Sequence, residues 1–227
     1  GRATIYTPDD EAMWSKTTLT SMAIGYAALV TPLHTLTFYN AIANDGKMMK
    51  PYLIDAIEKG GKIEKRFKPE VLNGSICSKA TADSITRALK LVTEEGTAKR
   101  LKTAKCEVAG KTGTAQIYQT AGNRGSNAYE TKSGGREYLA TFVGYFPADN
   151  PKYTCIVSIK TERKRGEVKY YTGAGVSLPV FREIAEYVYT HEQGWMPQAE
   201  RVASKTTSKL SRQAEPSSRR RGRHTTS

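Results

Sequence analysis

Cysteine, histidine and tryptophan are scarce in this 227-residue chain, at three, three and two residues. Cys77, Cys106 and Cys155 are an odd set without a paired spacing, which excludes a cysteine metal knot and a disulfide framework. His34, His191 and His224 are scattered and form no His-x-x-x-His pair, so neither a metal site nor a cofactor is expected. No apolar run approaches the ~20 residues of a membrane-spanning helix, and residue 1 does not open a signal peptide. The start, Gly1-Arg2-Ala3-Thr4, reads as a chain entered partway. Acidic residues are in deficit as well: 35 Lys and Arg against 22 Asp and Glu leave a net charge of +13.

That excess is unevenly spread. Eight basic residues between 200 and 227 face only Glu200 and Glu215, so the tail holds +6 and the body +7. A segment of Ser, Thr, Lys and Arg without apolar periodicity is expected to be solvated disorder. The chain therefore divides into a domain over residues 1–190 and a basic tail over 191–227. A nucleic-acid-binding module built on the tail and Lys160–Lys169 is the rival from another class. Glu162 and Glu167 interrupt those charges and no recognition motif is present, so no nucleic acid is expected as partner.

Hydrophobic residues make up 38% of the chain, enough for one domain with a core. Met22-Ala23-Ile24 reads as a short buried segment closed by a tight loop at Gly25-Tyr26. Thr31-Pro32 signals a helix start, with the threonine as N-cap and proline at the first position, where no N–H is missed. Leu33, Leu36, Tyr39 and Ala43 carry that helix to Asn44-Asp45-Gly46. Tyr52–Ile57 is a strand candidate, Glu58–Lys62 its turn and Ile63–Phe67 the return strand. Ser78 caps a second helix with a stripe of Ile85, Ala88, Leu89 and Val92, stopped at Thr93–Thr97.

Residues 120–136 are rich in Gly, Ser and Asn and read as a mobile surface loop. Tyr138–Phe146 and Tyr153–Ile159 are strands joined by Pro147–Pro151, short enough for an antiparallel pair. A last helix carries Val176, Val180, Ile184 and Val188, with Pro179 in its first turn. Three neighbouring antiparallel strands flanked by helices make the fold α+β.

The chemistry is concentrated in Val108-Ala109-Gly110-Lys111-Thr112-Gly113-Thr114-Ala115-Gln116-Ile117, which reads as one strand. A cation, two hydroxyls and a residue without a side chain are offered along extended backbone. Gly110-Lys111-Thr112 also mimics the end of a phosphate-binding loop. That loop needs a glycine where Lys105 stands, and it opens a helix, whereas Ala115–Tyr118 continues as strand.

Lys-Thr-Gly belongs with Ser-x-x-Lys and Ser-x-Asn in the motif set of serine β-lactamases and penicillin-binding proteins. Gly25-Tyr26-Ala27-Ala28-Leu29-Val30-Thr31-Pro32-Leu33 lies well upstream and runs on to Ala43-Asn44-Asp45-Gly46. With Tyr170-Tyr171-Thr172-Gly173 and Pro179-Val180-Phe181, it makes residues 1 to about 190 resemble the later half of the class B penicillin-binding protein transpeptidase domain. Leu36-Thr37-Phe38-Tyr39-Asn40 leans toward the division-specific, FtsI-like branch. His34 and Thr172 depart from the family's usual glutamine and glycine. No serine here has lysine three residues on, and no Ser-x-Asn occurs. Ser126-Asn127 and Lys132-Ser133-Gly134 are near-misses inside the loop.

The resemblance implies a penicillin-binding, serine β-lactamase-like α+β fold and a peptidoglycan D,D-transpeptidase with its nucleophile upstream of residue 1. It implies catalytic roles for Lys111, as a fixed charge, and for Thr114, whose backbone N–H is an oxyanion donor. Thr112, Gly113, Tyr170 and Tyr171 would contact substrate, and the Thr112 and Thr114 hydroxyls would hold the substrate carboxylate. Implied partners are the peptidoglycan stem peptide or its lipid-linked precursor, β-lactam antibiotics, and divisome membrane proteins including a glycosyltransferase. The implied location is the periplasmic side of the inner membrane. A non-catalytic remnant that binds division partners is the other alternative.

Overall fold

The computed structural model describes residues 3–164, 166–167 and 170–192. The expected basic tail lies outside the described residues, save for its first two positions. By its internal packing the chain falls into two units, residues 1–185 and 186–227. The described part of the second is the end of a helix, where Tyr187 stacks on His191 at 4.0 Å between ring centroids.

In the first unit, β1 (Thr4–Ile5) pairs with β2 (Ala28–Leu29) around α1 (Thr18–Ala23). This corrects the expectation of a buried segment at Met22–Ile24. The apolar triplet ends a short helix, and Ile24 is 73% exposed because it lies past the last turn. The helix α2 (Pro32–Ala43) starts as read, with Thr31 accepting the His34 N–H. After it come β3 (Met48–Met49), β4 (Ala56–Lys59), β5 (Lys62–Arg66) and β6 (Val71–Asn73), in the pairs β3–β6 and β4–β5. The hairpin expected from Tyr52 is therefore shifted. Gly60 and Gly61 both take positive φ, a two-residue turn that sets Lys59 opposite Lys62. Pairing ends at Ala56 opposite Arg66, and Leu53 is left fully exposed.

The helix α3 (Lys79–Glu94) is capped by Ser78, which accepts the Thr81 N–H at 3.1 Å. A 3-10 turn at Lys99–Thr103, unread in the sequence, leads to the main sheet. That sheet is β7 (Ala109–Gln116), β8 (Arg136–Phe146) and β9 (Tyr153–Arg163), antiparallel in the order β7-β8-β9. The helix α4 (Leu178–His191) follows a π-helical turn at Gly173–Ser177, so Val176 precedes the helix and does not open it. The loop after β7 has more order than its composition announced, with bridges Arg124–Thr131 and Glu130–Arg136 and buried Gln119, Thr131 and Gly135.

The central strand β8 is covered on both faces, which explains its nearly continuous apolar run. One face packs on α4: Phe142 and Phe146 meet Phe181 at 4.6 and 5.7 Å between ring centroids, all three buried. Each ring contributes roughly 2–3 kcal/mol of burial. The other face meets α2 and α3: Tyr145 shares a hydrogen bond with Thr86 at 2.7 Å, and Asn40 donates to Thr154 at 3.2 Å. Burial pushes the Tyr145 phenol above its ordinary range, so it stays neutral. Burial pushes the Cys155 thiol up as well.

Lys90 ties α3 to one end of this sheet, where β7 starts and β8 finishes, at 3.0 Å from Glu107 and 2.9 Å from Asp149. Hydrogen bonds to Asp149 and Glu107 hold its ammonium above the usual lysine range, while Lys90 holds Asp149 below the usual carboxylate range. The Asp149 contribution is present above pH ~4 and is lost as pH falls through its depressed value. The Lys90 contribution is present below pH ~10.5 and is lost as pH rises past it. Replacing Lys90 with methionine is therefore expected to cost about 1 kcal/mol between pH 5 and 9. In thermal unfolding at several pH values, that cost should disappear in acid; a pH-independent cost would refute the ion-pair account.

Candidate active site

The residues singled out in the sequence lie on β7, and the register decides what they can do. Ile117 N–H donates to Glu137 O at 2.9 Å, extending the pairing that runs from Ala109–Tyr145 to Gln116–Tyr138. Antiparallel pairs alternate between bonded and non-bonded. Lys111, Gly113 and Ala115 thus exchange backbone bonds with β8, while Thr112, Thr114 and Gln116 aim theirs away from it. Two contacts agree with that assignment. Gln116 N–H donates to the Tyr26 phenol at 3.3 Å, and Lys111 Nζ donates to Thr112 O at 3.0 Å.

β7 is an edge strand of this sheet. Between the Tyr26 plug and the Lys111 ammonium, the Thr114 N–H and C=O point into the open side. Lys111, Gly113 and Thr114 are exposed and Thr112 half-buried. A Cβ built on Gly113 would meet only Thr141 Cβ, at 3.8 Å. This chain's own packing therefore does not require glycine there.

The two hydroxyls face the α4 side and have partners in the chain. Thr112 Oγ1 lies 2.9 Å from Thr97 Oγ1, and Thr114 Oγ1 accepts the Gly173 N–H at 3.1 Å. Each arrangement leaves one O–H free to donate outward. Tyr171 packs its ring on Tyr138 at 4.4 Å, with the Arg163 guanidinium 4.9 Å from its centre. Tyr170 is 72% exposed, three residues before the glycine that bonds Thr114. The six positions are thus brought to one strand edge and the segment beneath it. Ser126 donates to Glu130, and Ser133 pairs with Thr131 at 2.8 Å, so both near-miss serines are engaged within the loop.

Sequence reasoning assigned no role to Thr97, to the Tyr26 phenol or to Gly173. Tyr26 and Gly173 stood inside quoted motifs, which was the available signal; Thr97 had none. A Cβ on Gly173 would fall 2.3 Å from Thr141 O and 2.6 Å from Gly113 O, so the segment presses directly on the strand. Among the described residues no group of His, Cys, Asp and Glu could hold a metal ion, and no helix is long and apolar enough to cross a membrane.

Comparison with known proteins bears on the same stretch. The penicillin binding protein transpeptidase domain model matches residues 6–186. Penicillin-binding protein H of Bacillus subtilis is 38% identical over 138 residues, 58% of this chain and 18% of that protein. Penicillin-binding protein PbpB of Mycobacterium tuberculosis is 28% identical over 197 residues, 83% of this chain and 26% of that protein. The crystal structure of penicillin binding protein 3 from M. tuberculosis, complexed with aztreonam, superimposes with a TM-score of 0.63 at 28% identity. That match covers 84% of this chain and 41% of the other. The chain thus spans only 18% to 26% of the length of these two relatives. With the family model covering most of the chain and the fold shared, the chain belongs to the penicillin-binding protein transpeptidase domain family.

Proposed function

We propose that this chain supplies the substrate-binding edge of a peptidoglycan D,D-transpeptidase. The observation that carries the reading is the open side of β7, where a backbone donor, a backbone acceptor and an ammonium converge. An extended stem peptide adds there as a further strand, and bare Gly113 lets its backbone approach. A serine in Ser-x-x-Lys, carried elsewhere in the protein, attacks the penultimate D-Ala carbonyl. Terminal D-Ala leaves, and the amine of a neighbouring stem takes the acyl group from the serine ester.

The outward Thr114 N–H stabilises the oxyanion as it develops. Lys111 supplies positive charge beside it, and the spare O–H of Thr112 or Thr114 holds the substrate carboxylate. Tyr170 forms the exposed wall of the site; the Tyr171 ring braces that wall against Tyr138. A β-lactam presents the same carboxylate and acyl group and stops at the ester. Leu36–Asn40 supports the division-specific branch, with membrane proteins of the division machinery, including a glycosyltransferase, as partners on the periplasmic face of the inner membrane.

Fluorescent penicillin tests the reading. The 227-residue chain is expected to take no covalent label. The whole protein, through its Ser-x-x-Lys, is expected to label and to lose the label when that serine becomes alanine. Labelling that survives this substitution would sink the assignment, and a whole protein without the serine would leave a non-catalytic remnant.

A further inference from the structure

The outer edge of β7 is a row of backbone groups, and the chain itself holds two of them. Thr112, Thr114 and Gln116 are the residues whose N–H and C=O point away from β8. The Lys111 ammonium sits on Thr112 O at 3.0 Å, and the Tyr26 phenol takes the Gln116 N–H at 3.3 Å. Thr114 lies between them with both groups turned to the open side. Tyr26 reaches this place from 90 residues away, out of a tight turn. Its own N–H is fixed to Ser21 O at 2.8 Å, and its neighbours Gly25 and Ala27 both take positive φ, at 91° and 55°. That conformation is ordinary for glycine and strained for alanine. Strain held in a turn that aims one side chain at a strand edge points to a task for that side chain.

We propose that Tyr26 is a positioning residue that stops the substrate strand, so that only the penultimate D-Ala pairs with β7. The identity of the ligand rests on the transpeptidase reading. With the Thr114 N–H at the reacting carbonyl, the penultimate residue stands opposite Thr114. In an antiparallel pair that residue also donates its N–H to Thr114 O. Antiparallel addition turns the terminal carboxylate toward Lys111, whereas parallel addition would turn it toward the phenol. Running the other way, the third residue of a pentapeptide stem falls opposite Ala115, whose backbone bonds go to β8. The carbonyl of the second residue falls opposite Gln116, the next outward donor, and Tyr26 already holds that N–H. Pairing therefore ends inside the length of the stem. The site reads the D-Ala-D-Ala end through the strand, and carbonyls further from the reacting bond add nothing through it.

Two substrates that differ at that carbonyl test the stop. One is acetyl-L-Ala-D-Ala-D-Ala, whose acetyl C=O comes opposite Gln116; the other is propionyl-D-Ala-D-Ala, in which hydrogen replaces the acetylamino group. The whole protein should release D-Ala from both with kcat/KM equal within about twofold. Tyr26→Ala frees the Gln116 N–H, and the acetyl compound should then react about fivefold faster than the propionyl one, the gain of one backbone hydrogen bond. Tyr26→Phe keeps the ring in the path and should leave the two rates equal. In hydrogen exchange of the 227-residue chain, Tyr26→Phe should speed the Gln116 amide about fivefold and leave the Ala115 amide as it was. If Tyr26→Ala does not fold, the wild-type rates and the Tyr26→Phe exchange decide. A preference for the acetyl compound in the wild-type protein, no preference in folded Tyr26→Ala, or unchanged Gln116 exchange in Tyr26→Phe would each overturn the proposal. A protein that penicillin never labels would remove the transpeptidase reading and this ligand with it, whereas either peptide result in a labelled protein bears on Tyr26 alone.

Discussion

Replacing Gly173 with alanine is expected to lower the melting temperature by about 10 °C and to slow acylation of the whole protein. The new methyl carbon would sit 2.3 Å from Thr141 O and 2.6 Å from Gly113 O, and both atoms belong to paired strands that cannot swing aside. Overpacking against backbone costs about 3 kcal/mol, which for a domain of this size is about 10 °C. Relief can come only from lifting the segment away from β7, which breaks the Gly173–Thr114 hydrogen bond and moves the strand edge. Gly113→Ala is the contrasting case. Its methyl meets only Thr141 Cβ at 3.8 Å, so the melting temperature should stay within about 3 °C. Acylation should still fall about tenfold, because that methyl stands where the substrate backbone must approach. Calorimetry and penicillin-labelling rates on both variants check the pair of outcomes. Equal melting temperatures would refute the close-approach argument.

What the sequence disclosed follows from which forces are local. Helix α2 was legible because Thr31 and Pro32 do their work within one turn, and α3 because Ser78 and its apolar stripe do the same. β8 announced itself as an apolar run because the sheet buries it on both faces. The hairpin was misplaced because turn geometry, which the Gly60-Gly61 pair sets, outranks apolar content in fixing register. The strands β3 and β6 escaped notice because each has two or three residues and exists only through its distant partner. The same limit applies at the site. Lys111–Thr114 could be found as a motif, whereas Thr97 on Thr112 and Tyr26 on Gln116 are meetings of residues far apart in the chain. Periodicity carries no information about such meetings.

Thr114→Pro should separate the catalytic backbone from the structural one. Proline removes one N–H, and the register places the Thr114 N–H on the side away from β8, so no ladder hydrogen bond is lost. The Thr114–Gly173 hydrogen bond is lost, but Thr114→Val loses it equally, and each variant should pay about 1 kcal/mol for it. Only the proline variant lacks the oxyanion donor. Its acylation rate in the whole protein should therefore fall about 10²–10³-fold below that of the valine variant, at similar stability. Ala115→Pro, one position on, removes an N–H that faces β8 and should destabilise the sheet by about 3 kcal/mol. If Thr114→Pro acylates as fast as Thr114→Val, the oxyanion lies elsewhere. If Thr114→Pro unfolds as readily as Ala115→Pro, the Thr114 N–H points into the sheet, and the edge has no donor to offer a substrate.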